Sequence, residues 1–105
     1  MPADDRRLVW SPGAENDLRD IWRYFVRVAS REVADRLLRE IRSAAEKARQ
    51  HPLAWRARDE IMLGLRSILV HPYVVFYRVK EDAVEIVRVL HQRRNLPDMF
   101  SKSED

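Results

Sequence analysis

The 105-residue chain contains no cysteine and only two glycines. Without thiols it can form no disulfide, no thiolate metal site and no thiol nucleophile, and their absence suits a reducing compartment. Scarce glycine, beside five prolines, argues against a linker-rich or disordered chain. Lysine is scarce too: it stands only at 47, 80 and 102, so arginine supplies most of the 20 basic residues. No apolar run approaches the roughly 20 residues of a membrane helix. Residues 1–7 hold no apolar stretch of the kind a secretory leader carries, so a cytoplasmic protein without membrane contact is expected. The histidines at 51, 71 and 91 come without a close acidic pattern, so neither a metal nor a cofactor is expected.

What is present fits one compact domain over residues 1–105, with an ordered core at about 6–100. Hydrophobic residues make up 46% of the chain, enough for a core, and charged residues make up 35%, enough for a dense ionic surface. The net charge is +3. Guanidinium forks suit carboxylates and phosphates alike, and so small an excess serves an acidic protein partner as well as a nucleic acid.

Residues 7–10 form a short β-type run. Ser11-Pro12 then opens a helix, with serine as N-cap and proline at the first helical position. Ala14, Leu18, Ile21, Trp22, Phe25 and Ala29 recur in steps of three or four, the mark of one buried face. Trp22 and Phe25 are expected in the core, and Asp17, Arg19, Asp20, Arg23 and Arg27 in water. Ser30 caps a second helix whose stripe runs through Ala34, Leu37, Leu38, Ile41, Ala45 and Ala48. On its charged side Glu32–Arg36 and Asp35–Arg39 have ion-pair spacing. His51-Pro52 ends it, and residues 52–62 read as irregular. Strands follow at 65–70, 73–79 and 83–90, with turns at His71-Pro72 and at 80–82. The last two are apolar on both parities, which places them mid-sheet or covered on both faces. The expected fold is α+β: β-α-α-β-β-β, a helical hairpin packed on a mainly antiparallel four-stranded sheet.

Four segments resemble the RelE/ParE toxins of type II toxin–antitoxin systems. Trp10-Ser11-Pro12 with Ala14, Asp17, Leu18 and Ile21 looks like the family's first strand and helix start. His51-Pro52 ahead of Arg56 and Arg58 looks like its usual end to the second helix. Gly64-Leu65-Arg66-Ser67 looks like its second strand. Phe76-Tyr77-Arg78 with residues 84–91 and Arg93 looks like its final hairpin. Together they span residues 8 to about 95. The resemblance implies a toxin made with an antitoxin whose C-terminal part wraps it. RelE-type members cleave mRNA in the ribosome; ParE-type members lack that nuclease set and poison DNA gyrase.

Metal-free RNA cleavage needs a base for the 2′-hydroxyl, cations for the phosphate and an acid for the leaving oxygen. Arg66 and Arg93 stand where two of the family's basic residues would be, and His91 is the acid–base candidate. The family's C-terminal tyrosine position falls near Met99-Phe100, which cannot move protons. This favours the ParE reading: no catalytic residue, DNA gyrase as target and a ParD-like antitoxin as partner. A ribosome-dependent endoribonuclease using Arg66, His91 and Arg93 is the alternative. Trp55, Arg56, Arg58, Arg88, His91, Arg93 and Arg94 are the expected target-binding set. Arg66, Tyr73, Tyr77 and Arg78 are the expected antitoxin contacts. Tyr73 and Tyr77, on one strand face, read more readily as half-buried residues with wet hydroxyls than as base-stacking platforms. Two readings stand for Trp55, an arginine-flanked hot spot or a plug at one end of the core.

Overall fold

The structure, a computed structural model, describes residues 5–94. Strand β1 (Arg7–Trp10) leads into helix α1 (Pro12–Val28), helix α2 (Arg31–Gln50), and strands β2 (Arg56–Ala57), β3 (Leu65–Val70), β4 (Tyr73–Val79) and β5 (Ala83–His91). Both helices start where their serines stand. The Ser11 hydroxyl accepts the Ala14 N–H at 3.0 Å and donates to the Val87 carbonyl at 2.7 Å, tying the start of α1 to β5. The Ser30 hydroxyl accepts the Val33 N–H at 3.1 Å. Each cap satisfies a donor the helix leaves open.

The sheet has five strands in the order β1-β5-β4-β3-β2. β1 runs parallel to β5, and the other pairs are antiparallel. The added strand lies inside the stretch expected to be irregular: Arg56 pairs with Ser67 and Ala57 with Arg66. Two residues are too few to show an alternation, so no periodicity could reveal it. Gly64, at φ +82°, occupies the left-handed region that glycine tolerates best and lets the loop turn back into β3.

The helical hairpin covers one face of the sheet. Ala14, Leu18 and Ile21 of α1, with Ile41, Ala44, Ala45 and Ala48 of α2, meet Ile68, Tyr73, Val75, Tyr77, Val84, Ile86 and Val89. On the other face Leu65, Val74, Phe76 and Leu90 are buried beside Ile61, Met62 and Val87. This accounts for apolar residues on both parities of β4 and β5, which lie inside the sheet and are covered on both faces.

Three local expectations change. Trp22 is half-buried rather than central, and its indole N–H donates to Asp35 at 2.8 Å. That bond engages the carboxylate expected to pair with Arg39. Among the described residues neither the Glu32–Arg36 nor the Asp35–Arg39 ion pair forms; exposed pairs gain too little to hold two long side chains in one geometry. Asp17, expected in water, is nearly enclosed, with its side chain 11% exposed.

The reason for Asp17 lies in β5. Phe76 pairs with Arg88 but Tyr77 with Ile86, so Val87 is an extra residue, a β-bulge. Bulges re-aim side chains. This one turns Arg88 towards α1, where its Nε and Nη2 reach the Asp17 oxygens at 2.8 and 3.0 Å. The same carboxylate accepts the Val89 N–H at 2.9 Å. The Asp17 bond holds Arg88 above the usual arginine range.

Candidate functional site: an aromatic groove beside the last strand

A groove of about 720 Å³ runs between α1 and the end of β5. Tyr24, Phe25 and Val28 form its helical wall, and Tyr73, His91 and Arg94 form the opposite one. The helical stripe explains this placement. Ile21 and Phe25 turn to the sheet, while Tyr24 and Val28, one residue off the stripe at the free end of α1, stay 48% and 53% exposed.

Aromatic edges build the groove. The Tyr73 ring stands edge-on to Phe25, with centroids 6.3 Å apart, and edge-on to His91 at 5.5 Å. Tyr24 stands edge-on to Phe25 at 5.1 Å, and the Arg27 guanidinium lies over the Tyr24 ring. Such offset and T-shaped pairs add stability beyond their burial. Burial pushes the Tyr73 hydroxyl above its ordinary pKa. His91 Nδ1 accepts the Arg93 backbone N–H at 3.1 Å, which places the proton of the neutral ring on Nε2.

The structure brings Arg88, His91, Arg93, Arg94 and Tyr73 to this one end of the sheet. Of these, Arg88 is committed to Asp17, whereas Arg93 and Arg94 are exposed. The loop residues lie elsewhere. Arg58 donates to Glu60 at 2.8 Å and to the Ser67 hydroxyl at 3.2 Å, and it lies over the Phe76 ring. Its side chain is only 15% exposed, so it holds the loop rather than facing a target. Arg56 is exposed on β2. Trp55 is half-buried against the core, its indole N–H 3.5 Å from the Lys47 carbonyl, which matches the plug reading more closely than the hot-spot one.

Arg66 Nη1 donates to the Leu53 and Trp55 carbonyls at 3.2 and 2.7 Å, clasping the end of the loop. Arg78 pairs with Glu85 at 3.0 Å, and Lys80 reaches the same oxygen. Burial pushes the Glu85 carboxyl up, but Arg78 and Lys80 outweigh it and hold it below the usual range. Tyr77 needs a correction. It is fully buried rather than wet, and its hydroxyl donates to the Pro52 carbonyl at 2.8 Å. It therefore offers an antitoxin no surface in this fold. Burial drives its pKa up to about 12, against the pull of Arg66.

The three residues of the nuclease alternative do not converge. Arg66 is in register with Tyr77, while His91 is in register with Tyr73. Four residues along a strand separate those positions, about 13 Å. Met99 and Phe100 lie outside the described residues. Among the described residues no helix is long and apolar enough to cross a membrane, and no group of three or more His, Cys, Asp or Glu could hold a metal. Sequence reasoning missed Asp17 and Tyr24. A signal for Asp17 existed: it lies three residues after Ala14 and four before Ile21, on the buried stripe itself.

A helical hairpin across a sheet whose first strand pairs parallel with its last is the arrangement of the RelE/ParE fold. The chain belongs to the ParE family: residues 8–96 match the model of the ParE toxin of type II toxin–antitoxin systems, parDE. It is similar to Toxin ParE1 of Mycobacterium tuberculosis, 36% identical over 91 residues, which are 86% of this chain and 93% of that one. It is also similar to Toxin RelE3 of Caulobacter vibrioides, 38% identical over 81 residues, 76% of this chain and 87% of that one. Among solved structures it resembles the chromosomal ParDE toxin–antitoxin system from P. aeruginosa, with a TM-score of 0.74 at 24% identity over 83% of this chain and 96% of that one.

Proposed function

We propose that this toxin arrests growth in the cytoplasm by binding DNA gyrase through protein–protein contact, and that a ParD-like antitoxin neutralises it. The observation that carries the reading is the aromatic groove. Tyr24, Tyr73 and His91 surround it, and exposed Arg94 stands at its wall. Tyrosine, other aromatics and arginine around a hollow of mixed polarity are the composition of a protein-binding hot spot. Acyl or phosphoryl chemistry would need a base and a cation held together, and Arg66 instead spends its guanidinium on two loop carbonyls. The antitoxin contact is assigned to Arg78 and the rim of Tyr73.

Purified toxin is expected to block gyrase supercoiling or to stabilise cleaved DNA. Tyr24→Asp, at an exposed position, is expected to weaken this at least tenfold, the scale of one lost hot spot. Gyrase untouched at concentrations that stop growth overturns the proposal. The likeness to a RelE-named toxin keeps the nuclease alternative in the same experiment: discrete mRNA cuts in a translating extract would establish it.

A further inference from the structure

One flank of α1 lies off the hollow that this helix shares with α2, whose α1 side is lined by residues such as Leu18, Trp22 and Arg23. Tyr24 and Val28 stand on that flank, one turn apart, 48% and 53% exposed. Asp20 and Arg27 are exposed beside them. Neither charge is neutralised inside the molecule. Among the described residues Asp20 makes no hydrogen bond or ion pair, and Arg27 engages only the Tyr24 ring, with its guanidinium carbon 5.7 Å from the centroid.

The order of charge along this flank decides what can cover it. Asp20 lies about 6 Å from Tyr24 towards the helix start, and Arg27 about 4.5 Å towards its end, at roughly 1.5 Å per residue. Seven residues make nearly two turns, so Asp20 and Arg27 fall on the same side of the helix. A twofold axis through Tyr24, perpendicular to the helix, reverses its direction and keeps that side. It sets the partner's Arg27 within about 1.5 Å of the level of Asp20, and the partner's Asp20 equally close to the level of Arg27. Tyr24 meets its own copy at the centre.

A foreign segment would have to supply a base, an aromatic ring and an acid in that order. A second copy of this chain carries them by symmetry, as an isologous contact requires. A nucleic acid fits less well, because its phosphates would meet the unpaired Asp20 carboxylate. From Asp20 to Val28 the contact covers about 12 Å of helix, a length that suits a weak and reversible pair.

We propose that α1 pairs antiparallel with α1 of a second copy of this chain, about a twofold axis at Tyr24. Two Asp20–Arg27 ion pairs flank a stack of the two Tyr24 rings, and Val28 closes each end. Pairing covers the helical wall of the aromatic groove, so the free toxin holds that wall back from any other partner. The pairing itself does not rest on the gyrase reading.

Sedimentation equilibrium of the full chain, without antitoxin, tests this by exchanging charges. The unaltered chain is expected to pass from monomer to dimer between micromolar and millimolar concentration. Asp20→Arg and Arg27→Asp, each alone, set like charges against one another and should weaken the dimer about tenfold. The chain carrying both changes restores the pairs in reverse order and should recover most of that tenfold. An equimolar mixture of the two single variants should form mixed dimers more readily than either variant dimerises by itself. All these substitutions are on the surface, and an unchanged melting temperature checks the fold. A chain that stays monomeric at millimolar concentration, a dimer indifferent to the single reversals, or reversals rescued neither by the double change nor by mixing overturns the proposal. Neither gyrase nor antitoxin enters the experiment, so its failure leaves the proposed function standing.

Discussion

At the scale of the residue, Tyr77 shows how far a side chain's surroundings depend on distant sequence. Helical and strand periodicity put Tyr73 and Tyr77 on one face of β4, and that is where they are. What no local pattern carries is the Pro52 carbonyl, 25 residues away, which receives the Tyr77 hydroxyl. The same holds for Trp55, whose burial depends on the core beneath its loop. Tyr77→Phe keeps the ring and orphans that buried carbonyl. It is expected to cost about 1–3 kcal/mol in urea unfolding. The wild type adds a pH signature. The folded-state pKa, about 12, lies above the ordinary 10. The stabilisation linked to it is therefore complete below pH 10 and is lost as pH rises towards 12. Stability against pH, compared between wild type and Tyr77→Phe, should differ in slope over that window; parallel curves would refute it.

At the scale of the element, the starts of both helices were legible because a capping serine acts within one turn, followed by Pro12 at α1 and by Glu32 in the first turn of α2. Strands β3 and β4 were legible because turn signals bound two short runs, β3 apolar at four of six positions and β4 β-branched or aromatic at six of seven. The β5 bulge was not, since it arises from pairing with another strand. Its consequence, the Asp17–Arg88 clamp, joins residues 71 positions apart. Asp17→Ala leaves the Arg88 charge, 19% exposed, without its carboxylate and removes the acceptor of Val89 N–H. The expected loss is about 3–5 kcal/mol. Replacing both partners, Asp17→Leu with Arg88→Met, should recover most of it, because the cost lies in stranding one charge. A double variant less stable than Asp17→Ala would show that the clamp is net stabilising in itself.

At the scale of the whole molecule, the order of elements and the family likeness could be read from the chain, and the groove could not. His91, Arg93 and Arg94 are adjacent in sequence and drew notice as a basic cluster. Tyr24 completes their site from α1, and only the packing of the hairpin on the sheet brings the two together. If the groove is the working surface, its charge should matter and its histidine should not act as an acid or base. Arg93→Glu/Arg94→Glu is expected to abolish growth arrest in cells expressing the toxin without antitoxin. His91→Gln should keep most of it. The reverse outcome, arrest lost with His91→Gln alone and retained with the arginine pair reversed, would point to chemistry instead of contact.

The sheet also imposes an order in time. Residues 7–10 of β1 find their partners only in residues 83–86 of β5, and β4 needs the same strand on its other side. During synthesis the hairpin and the β2–β4 portion can form early from nearby contacts, but they lack the strand that joins them to β1. The Asp17 acceptor and the Ser11 hydroxyl likewise wait for residues 87–89. A growing chain therefore gains its complete sheet, and with it both walls of the aromatic groove, only when nearly all of the described fold has been made. An interrupted translation product that stops short of β5 is expected to leave growth unaffected, because it lacks the strand that completes the sheet.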